Sequence, residues 1–297
     1  MSMGDLTMRK LRLAALFLTA AALLTAGCAA IRLGYETMPT WAFFQLDRYW
    51  RLDSTQSDLV RARLAEFQRW HRQTELPQYA QFLGSVRERV RSVNPVEAAE
   101  VARWREAAEA RWRAVAQRAA PQLADVALTL KPEQIDRMKK RVAEQNTEYR
   151  RKQLPADPQE RQSKRVERIE DRAEFFFGRL NDAQHEIVRR HVAGSATDDE
   201  ALYAERLARQ QAVIGTFEKV ASARPPREDA QRQFETLLAQ LWKPHDAQHA
   251  ASMERSVAAA DQLAVALVNS ATPPQKSKLV QRLGTWIGDF EHLAAAH

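Results

Sequence analysis

Apolar residues recur at helical spacing along most of this chain. The clearest run is Val101, Trp104, Ala108, Trp112, Val115, Ala119, Leu123, Val126 and Leu130, in steps of three or four. Such a stripe marks one face of a long amphipathic helix. Arg103, Arg105, Glu106, Glu109, Arg113 and Arg118 occupy the other face. A kink is expected at Pro121, which cannot donate the helical hydrogen bond. The Trp-bearing stripe reads as core. Alternating strand patterns are nearly absent.

Helix starts repeat. The segments "LDSTQSDLV" (52–60), "LKPEQIDRM" (130–138), "LNDAQHEIV" (180–188) and "ATPPQKSKLV" (271–280) share a turn residue, a Gln three positions on, and apolar residues beyond. A Gln at that position can accept the cap residue's own N–H. Pro132, Pro273 and Pro274 suit a first turn. Four helix starts follow, at Asp53, Lys131, Asn181 and Thr272, although Lys131 is a poor cap. Other breaks are expected at Pro39, at Asn94-Pro95, at 154–159, 193–199 and 223–229, and near Pro244. The fold class is all-α, an irregular bundle of about seven to nine helices. A lobe boundary, if there is one, falls near 154–159.

The first residues follow a different rule. Arg9, Lys10 and Arg12 precede an uncharged apolar stretch from Leu13 to Gly27. This arrangement reads as a secretory signal, too short to span a membrane. It ends at Cys28, the chain's single cysteine. "LTAGC" resembles the lipobox of bacterial lipoproteins, in which the thiol carries diacylglycerol and the signal is cut before the cysteine. The resemblance implies a signal at 1–27, a lipidated tether at 28–34 and a helical domain at 35–297. Cys28 would be the lipidation site, and its lipid the one covalent group, with no other cofactor. Ala29 rather than Asp after the cysteine implies the inner leaflet of the outer membrane, facing the periplasm. Acylation would leave no thiol for disulfides or metal.

Charge narrows the partners. The chain carries +7, and removing Arg9, Lys10, Arg12 and Asp5 with the signal leaves +5. A basic protein at a membrane favours anionic lipid, lipopolysaccharide or another envelope protein, and nucleic acid is not expected there. The most basic segment is 137–168. Arg150, Arg151, Lys152, Arg161, Lys164, Arg165 and Arg168 are its candidate anionic-partner contacts.

Candidate chemistry is sparse. His71 and Glu75 lie one turn apart, and His71 shares a face with Leu64 and Phe67. A core histidine bonded to the carboxylate is expected. His245 and His249 have metal spacing, but two ligands fall short of the three or four that zinc sites use, so they are weak candidates and no metal is assigned. The aromatic segment 34–53 is expected to be a helix buried in the protein, with the bilayer interface as the alternative. No nucleotide loop or hydrolase motif is present, and the chain is not expected to be an enzyme.

Two further resemblances exist. Tyr35, Pro39, Asp47, Tyr49, Asp53, Gln56, His71, Glu75, Leu76, Pro77 and Tyr79 follow a pattern similar to that of the bacterial lipoprotein family called domain of unknown function 6279. That resemblance supports location and architecture and implies no activity. The Leu-x-x-x-Gln starts are similar to the motif of small periplasmic chaperones of the Spy and CpxP group. Three readings follow. The first is a non-enzymatic envelope binding protein. The second is a periplasmic chaperone, and the third a metal-dependent envelope enzyme.

Overall fold

A long central helix organises the molecule. The computed structural model describes residues 31–194, 199–244 and 247–296, apart from the side chains of 247–249. Among them no strand occurs. A helix over 31–50 (α1) leads to α2 (Ser54–Arg91), α3 (Ala98–Arg118), α4 (Ala120–Ala127), α5 (Pro132–Gln153) and α6 (Pro158–Phe177). Then come α7 (Asp182–Gly194), α8 (Asp199–Ala223), α9 (Arg227–Gln240), α10 (Ala247–Ser270) and α11 (Pro273–Ala295). The body is an all-α multi-helix bundle with more helices than the seven to nine expected. The long stripe is one reason: it breaks at Ala119, two residues before Pro121, into α3 and α4.

α2 holds 38 residues, roughly 57 Å at about 1.5 Å each. Two hydrophobic cores form along it. One gathers Phe43, Trp50 and Val60 with α4, α5, α8 and α9 around Phe217 and Phe234. The other joins Val90 to Phe177, Val188, Leu267 and Leu283, from α6, α7, α10 and α11. A small third cluster, Tyr35, Leu76 and Leu293, packs α1 and α11 against the middle of α2. The chain leaves the first core at 154–157 and returns to it with α8 and α9, so both cores share one continuous body.

The stripe divides in fate. Val126 and Leu130 enter the first core, but α3 buries no residue and Trp112 is 63% exposed. The helical period was right. α3 packs along its edges against α2, α9 and α10, so Trp112 stays at the surface.

The break expected at Pro39 does not occur, because α1 runs straight through it. Pro39 has no N–H for the carbonyl of Tyr35 four residues back. Gln68 Nε2 on α2 supplies that bond instead, at 2.7 Å. Residues 31–34, expected as tether, are already helical. The other expected breaks all fall between helices.

Candidate functional site: paired glutamines and two polar joints

The four repeated helix starts assemble in pairs. Gln56 Nε2 donates to Gln134 Oε1 at 2.9 Å, and Gln134 Nε2 donates back to Gln56 Oε1 at 2.8 Å. Gln184 and Gln275 do the same at 3.0 and 2.9 Å. Each Oε1 also accepts its own cap residue's N–H, from Asp53, Lys131, Asn181 or Thr272. The second amide hydrogen goes to the partner segment, five residues before that segment's glutamine. Gln56 reaches the Thr129 carbonyl and Gln134 the carbonyl of Arg51, besides that of Trp50. Gln275 reaches the carbonyl of Arg179, and Gln184 the Ser270 hydroxyl. All four glutamines are buried. A buried amide is costly unless its donors and acceptors are met, and here they are. One such buckle closes each core.

The family-pattern residues fall into two joints. At the α1–α2 turn, Arg51 takes φ +48°. Asp47 Oδ1 accepts Leu52 N–H at 2.9 Å, and Asp53 caps α2 in a full capping box. Tyr49 Oη donates to Gln145 Oε1 at 2.6 Å, tying α1 to α5. Lys131 and the Gln56 N–H hold the Asp53 carboxyl below its ordinary range, the backbone bond most strongly.

The second joint surrounds His71. Its Nδ1 lies 3.1 Å from Tyr35 Oη and its Nε2 3.4 Å from Tyr79 Oη. Tyr35 Oη also reaches the Gln68 carbonyl, at 3.3 Å. One proton arrangement satisfies all three: Tyr35 donates to that carbonyl, His71 donates from Nδ1, and Tyr79 donates to Nε2. Burial pushes the imidazole below its ordinary 6.5 and both phenols up to about 12. The carboxylate expected to bond His71 is not its partner; the tyrosines are. Glu75 instead turns inward, 2% exposed, with Oε2 unbonded. Nearby, Asp289 is 1% exposed and holds Arg32 Nε at 2.6 Å, while Arg72 clasps Glu36. Pro77 lies within α2.

The candidate anionic contacts do come together, but most are already engaged. Arg150 pairs with Glu200, and Arg151 and Lys152 share Glu148. Lys164 pairs with Glu160 and Arg165 with Asp199. Arg161 donates to the Pro155 carbonyl, and Arg168 to Gln153. Cys28, His245 and the side chain of His249 lie outside the described residues. Among those described, no group of three or more His, Cys, Asp or Glu is placed to hold a metal ion.

The outer face of α1 departs from the fully buried helix expected of segment 34–53. Tyr35, Phe43 and Trp50 are buried as expected, but Leu33, Met38, Trp41 and Phe44 are 65%, 42%, 63% and 54% exposed. They form an apolar strip along the side facing away from the bundle. The signal was available: apolar positions encircle this helix, while only one side can meet α2.

The fold and joints define an all-α bundle buckled by paired glutamines. The chain belongs to the family of unknown function DUF6279, whose model matches residues 48–248. Asp53, Gln56, Tyr79 and the His71 region lie inside the match; Tyr35, Pro39 and Asp47 lie ahead of it. No curated relative and no solved structure matches the chain.

Proposed function

We propose that this is a lipid-anchored bacterial envelope protein, held through Cys28 in the inner leaflet of the outer membrane and facing the periplasm, which works by binding and not by catalysis. The exposed apolar strip Leu33, Met38, Trp41 and Phe44 carries the reading. It begins five residues after Cys28, on a helix whose opposite side is locked to the bundle. A bilayer surface is the apolar phase within its reach, and aromatics favour that interface. Arg48, one turn beyond Phe44, is exposed and suits anionic head groups. No described helix is long and apolar enough to cross a membrane, so attachment would rest on lipid plus strip. The basic face at 150–168 supports the reading less, since its charges are largely paired. His71 has tyrosine hydroxyls at both nitrogens, which favours a structural over a catalytic histidine.

Palmitate labelling in cells tests the anchor: the label should vanish in Cys28→Ala, and its persistence rejects lipidation. Vesicle flotation tests the strip, using the chain from residue 28 with Cys28→Ser. Trp41→Ser with Phe44→Ser should abolish residual binding; unchanged flotation rejects the strip.

A periplasmic chaperone has one observation in its favour. An apolar hollow of about 620 Å³ opens between α2, α3 and α11, lined by Tyr79, Phe82, Trp112, Trp286 and Phe290. Suppression of client aggregation, lost in Trp112→Ser, would establish it.

A further inference from the structure

His71, Glu75 and Tyr79 follow one another at steps of four along α2, so they stack on one face of the helix. Tyr79 Oη lies 3.4 Å from His71 Nε2 and therefore reaches back past Glu75. Tyr35 of α1 meets the other ring nitrogen at 3.1 Å. This bridge of two phenols and one imidazole runs along the Glu75 face. The carboxylate beside it is 2% exposed, with Oε2 buried and unbonded. A carboxylate so placed costs free energy until a cation or donor reaches it.

The bridge also holds the start of α1. Phe43 and Trp50 fix the later part of that helix in the first core. Before Pro39, Tyr35 packs on Leu76 and Leu293, and polar ties do the rest. Gln68 holds the Tyr35 carbonyl, Arg72 holds Glu36, and Arg32 holds Asp289 of α11. Pro39 interrupts the helical hydrogen bonding and is the natural hinge. The charged groups that act on the two phenols are Glu36 of α1, Arg72 and Glu75 of α2, and Arg111 of α3. Glu36 and Asp289 have their arginines, whereas Glu75 has no ion pair among the described residues. Of the residue types gathered here, only imidazole ordinarily changes charge between roughly pH 5 and 8.

A second ring proton changes what the bridge can do. The neutral ring donates from Nδ1 and accepts at Nε2. An imidazolium has two donors and no acceptor, so the Tyr79 hydroxyl loses its partner. One turn on, the Glu75 carboxylate offers the charged ring an ion pair at i,i+4 spacing. We infer that residues 31–38 form a strap, hinged at Pro39 and latched by the Tyr35–His71–Tyr79 bridge, which mild acid unlatches as His71 takes a proton from water and turns to Glu75. Leu33 and Met38 travel with the strap, and Leu76 and Leu293 are uncovered. The device concerns how α1 is held and does not rest on the membrane reading.

The test uses the chain from residue 28 with Cys28→Ser, which keeps every described helix. Amide hydrogen exchange is followed at about pH 7.5 and about pH 5.5, as protection relative to the unfolded chain at the same pH. The unlatched ring titrates at its ordinary 6.5, so the unlatched population rises by at most about tenfold over this interval. Protection of amides 35–38 should fall several-fold, up to that limit, while that of 44–50 changes by less than about twofold. His71→Gln keeps a donor and an acceptor for the tyrosines but takes up no proton, and should abolish the fall. Glu75→Gln should cut it by about half or more. If His71→Gln does not fold, Tyr35→Phe replaces it: the latch is then open at both pH values, and the fall should again vanish. Equal protection of 35–38 at the two pH values overturns the inference. So does a fall that persists in the folded latch variant, matches the natural residue's in Glu75→Gln, or extends equally to 44–50.

Discussion

Gln184 and Gln275, 91 positions apart, hold each other by two reciprocal amide hydrogen bonds inside the second core. Gln56 and Gln134 repeat the arrangement in the first. The parallel extends outward. The Leu four residues before the first glutamine of each pair gives its N–H to a carboxylate of the preceding helix: Leu52 to Asp47, Leu180 to Glu174. Each pair joins two helix N-termini whose own cap donors are consumed by the same glutamines. The buckle thus couples local helix capping to long-range closure of a core.

Breaking one side of a buckle should therefore cost more than an ordinary polar substitution. Gln184→Ala strands the Gln275 amide at a buried site, and a loss of about 1–3 kcal/mol is expected in urea unfolding. Gln275→Ala should behave alike, and the double variant should lose clearly less than the sum of the two. Gln56→Ala combined with Gln184→Ala should instead be additive within about 0.5 kcal/mol, because the pairs share no partner. Additivity inside a pair would show that capping alone sets these residues.

Pro39 and Gln68 should couple for a different reason. Pro39 strips Tyr35 O of its helical donor, and Gln68 Nε2 replaces it. Gln68→Ala should cost about 1–3 kcal/mol in the natural chain. In the Pro39→Ala background the new N–H can reach Tyr35 O, and the same substitution should cost about 1 kcal/mol less. Equal costs in both backgrounds would mean the carbonyl is not what binds Gln68.

These cases mark how far the sequence reaches. The four capped starts with Gln three residues past the cap were legible because capping chemistry is local, and their glutamines were visible at the right offset. That they pair, and in which combination, was not, since pairing depends on how α2 spans both cores. Pro39 read as a break because its compensating donor lies 29 residues away, on another helix. His71 was placed correctly on an apolar face, but its partners come from α1 and from two turns along α2, so the nearby Glu75 misled. Trp112 and Trp41 had the periodicity of core residues. Periodicity tells which positions share a face, and only packing tells whether anything covers it.

The His71 joint should make stability fall in mild acid. Burial holds this imidazole below its ordinary 6.5. As pH drops through 6.5 the unfolded chain gains a proton that the folded chain refuses, so stability declines with falling pH down to the folded value. Above 6.5 both states are neutral and the effect disappears. His191, also lowered by burial and by Arg165, contributes in the same direction. Thermal melts between about pH 7 and pH 5 should show a falling midpoint in the natural protein and a shallower fall in His71→Gln. An identical slope in the variant would assign the acid sensitivity elsewhere.

The basic face gives the last contrast. Lys152 and Arg151 hold the Glu148 carboxyl below its ordinary range, and Arg150 is occupied by Glu200. All five side chains are about half exposed or more, and solvent screening leaves such pairs little net worth. Replacing Arg150, Arg151 and Lys152 together by Gln should leave the unfolding midpoint nearly unchanged. It should also alter binding to anionic vesicles less than twofold, because all three cations are already engaged by Glu148 and Glu200. Changing Trp41 and Phe44 should matter far more. Flotation at low and high salt separates the two surfaces: binding through the α1 strip persists as salt rises, whereas binding through the arginines is screened. A large, salt-sensitive loss in the triple variant would move the membrane contact from α1 to the 150–168 face.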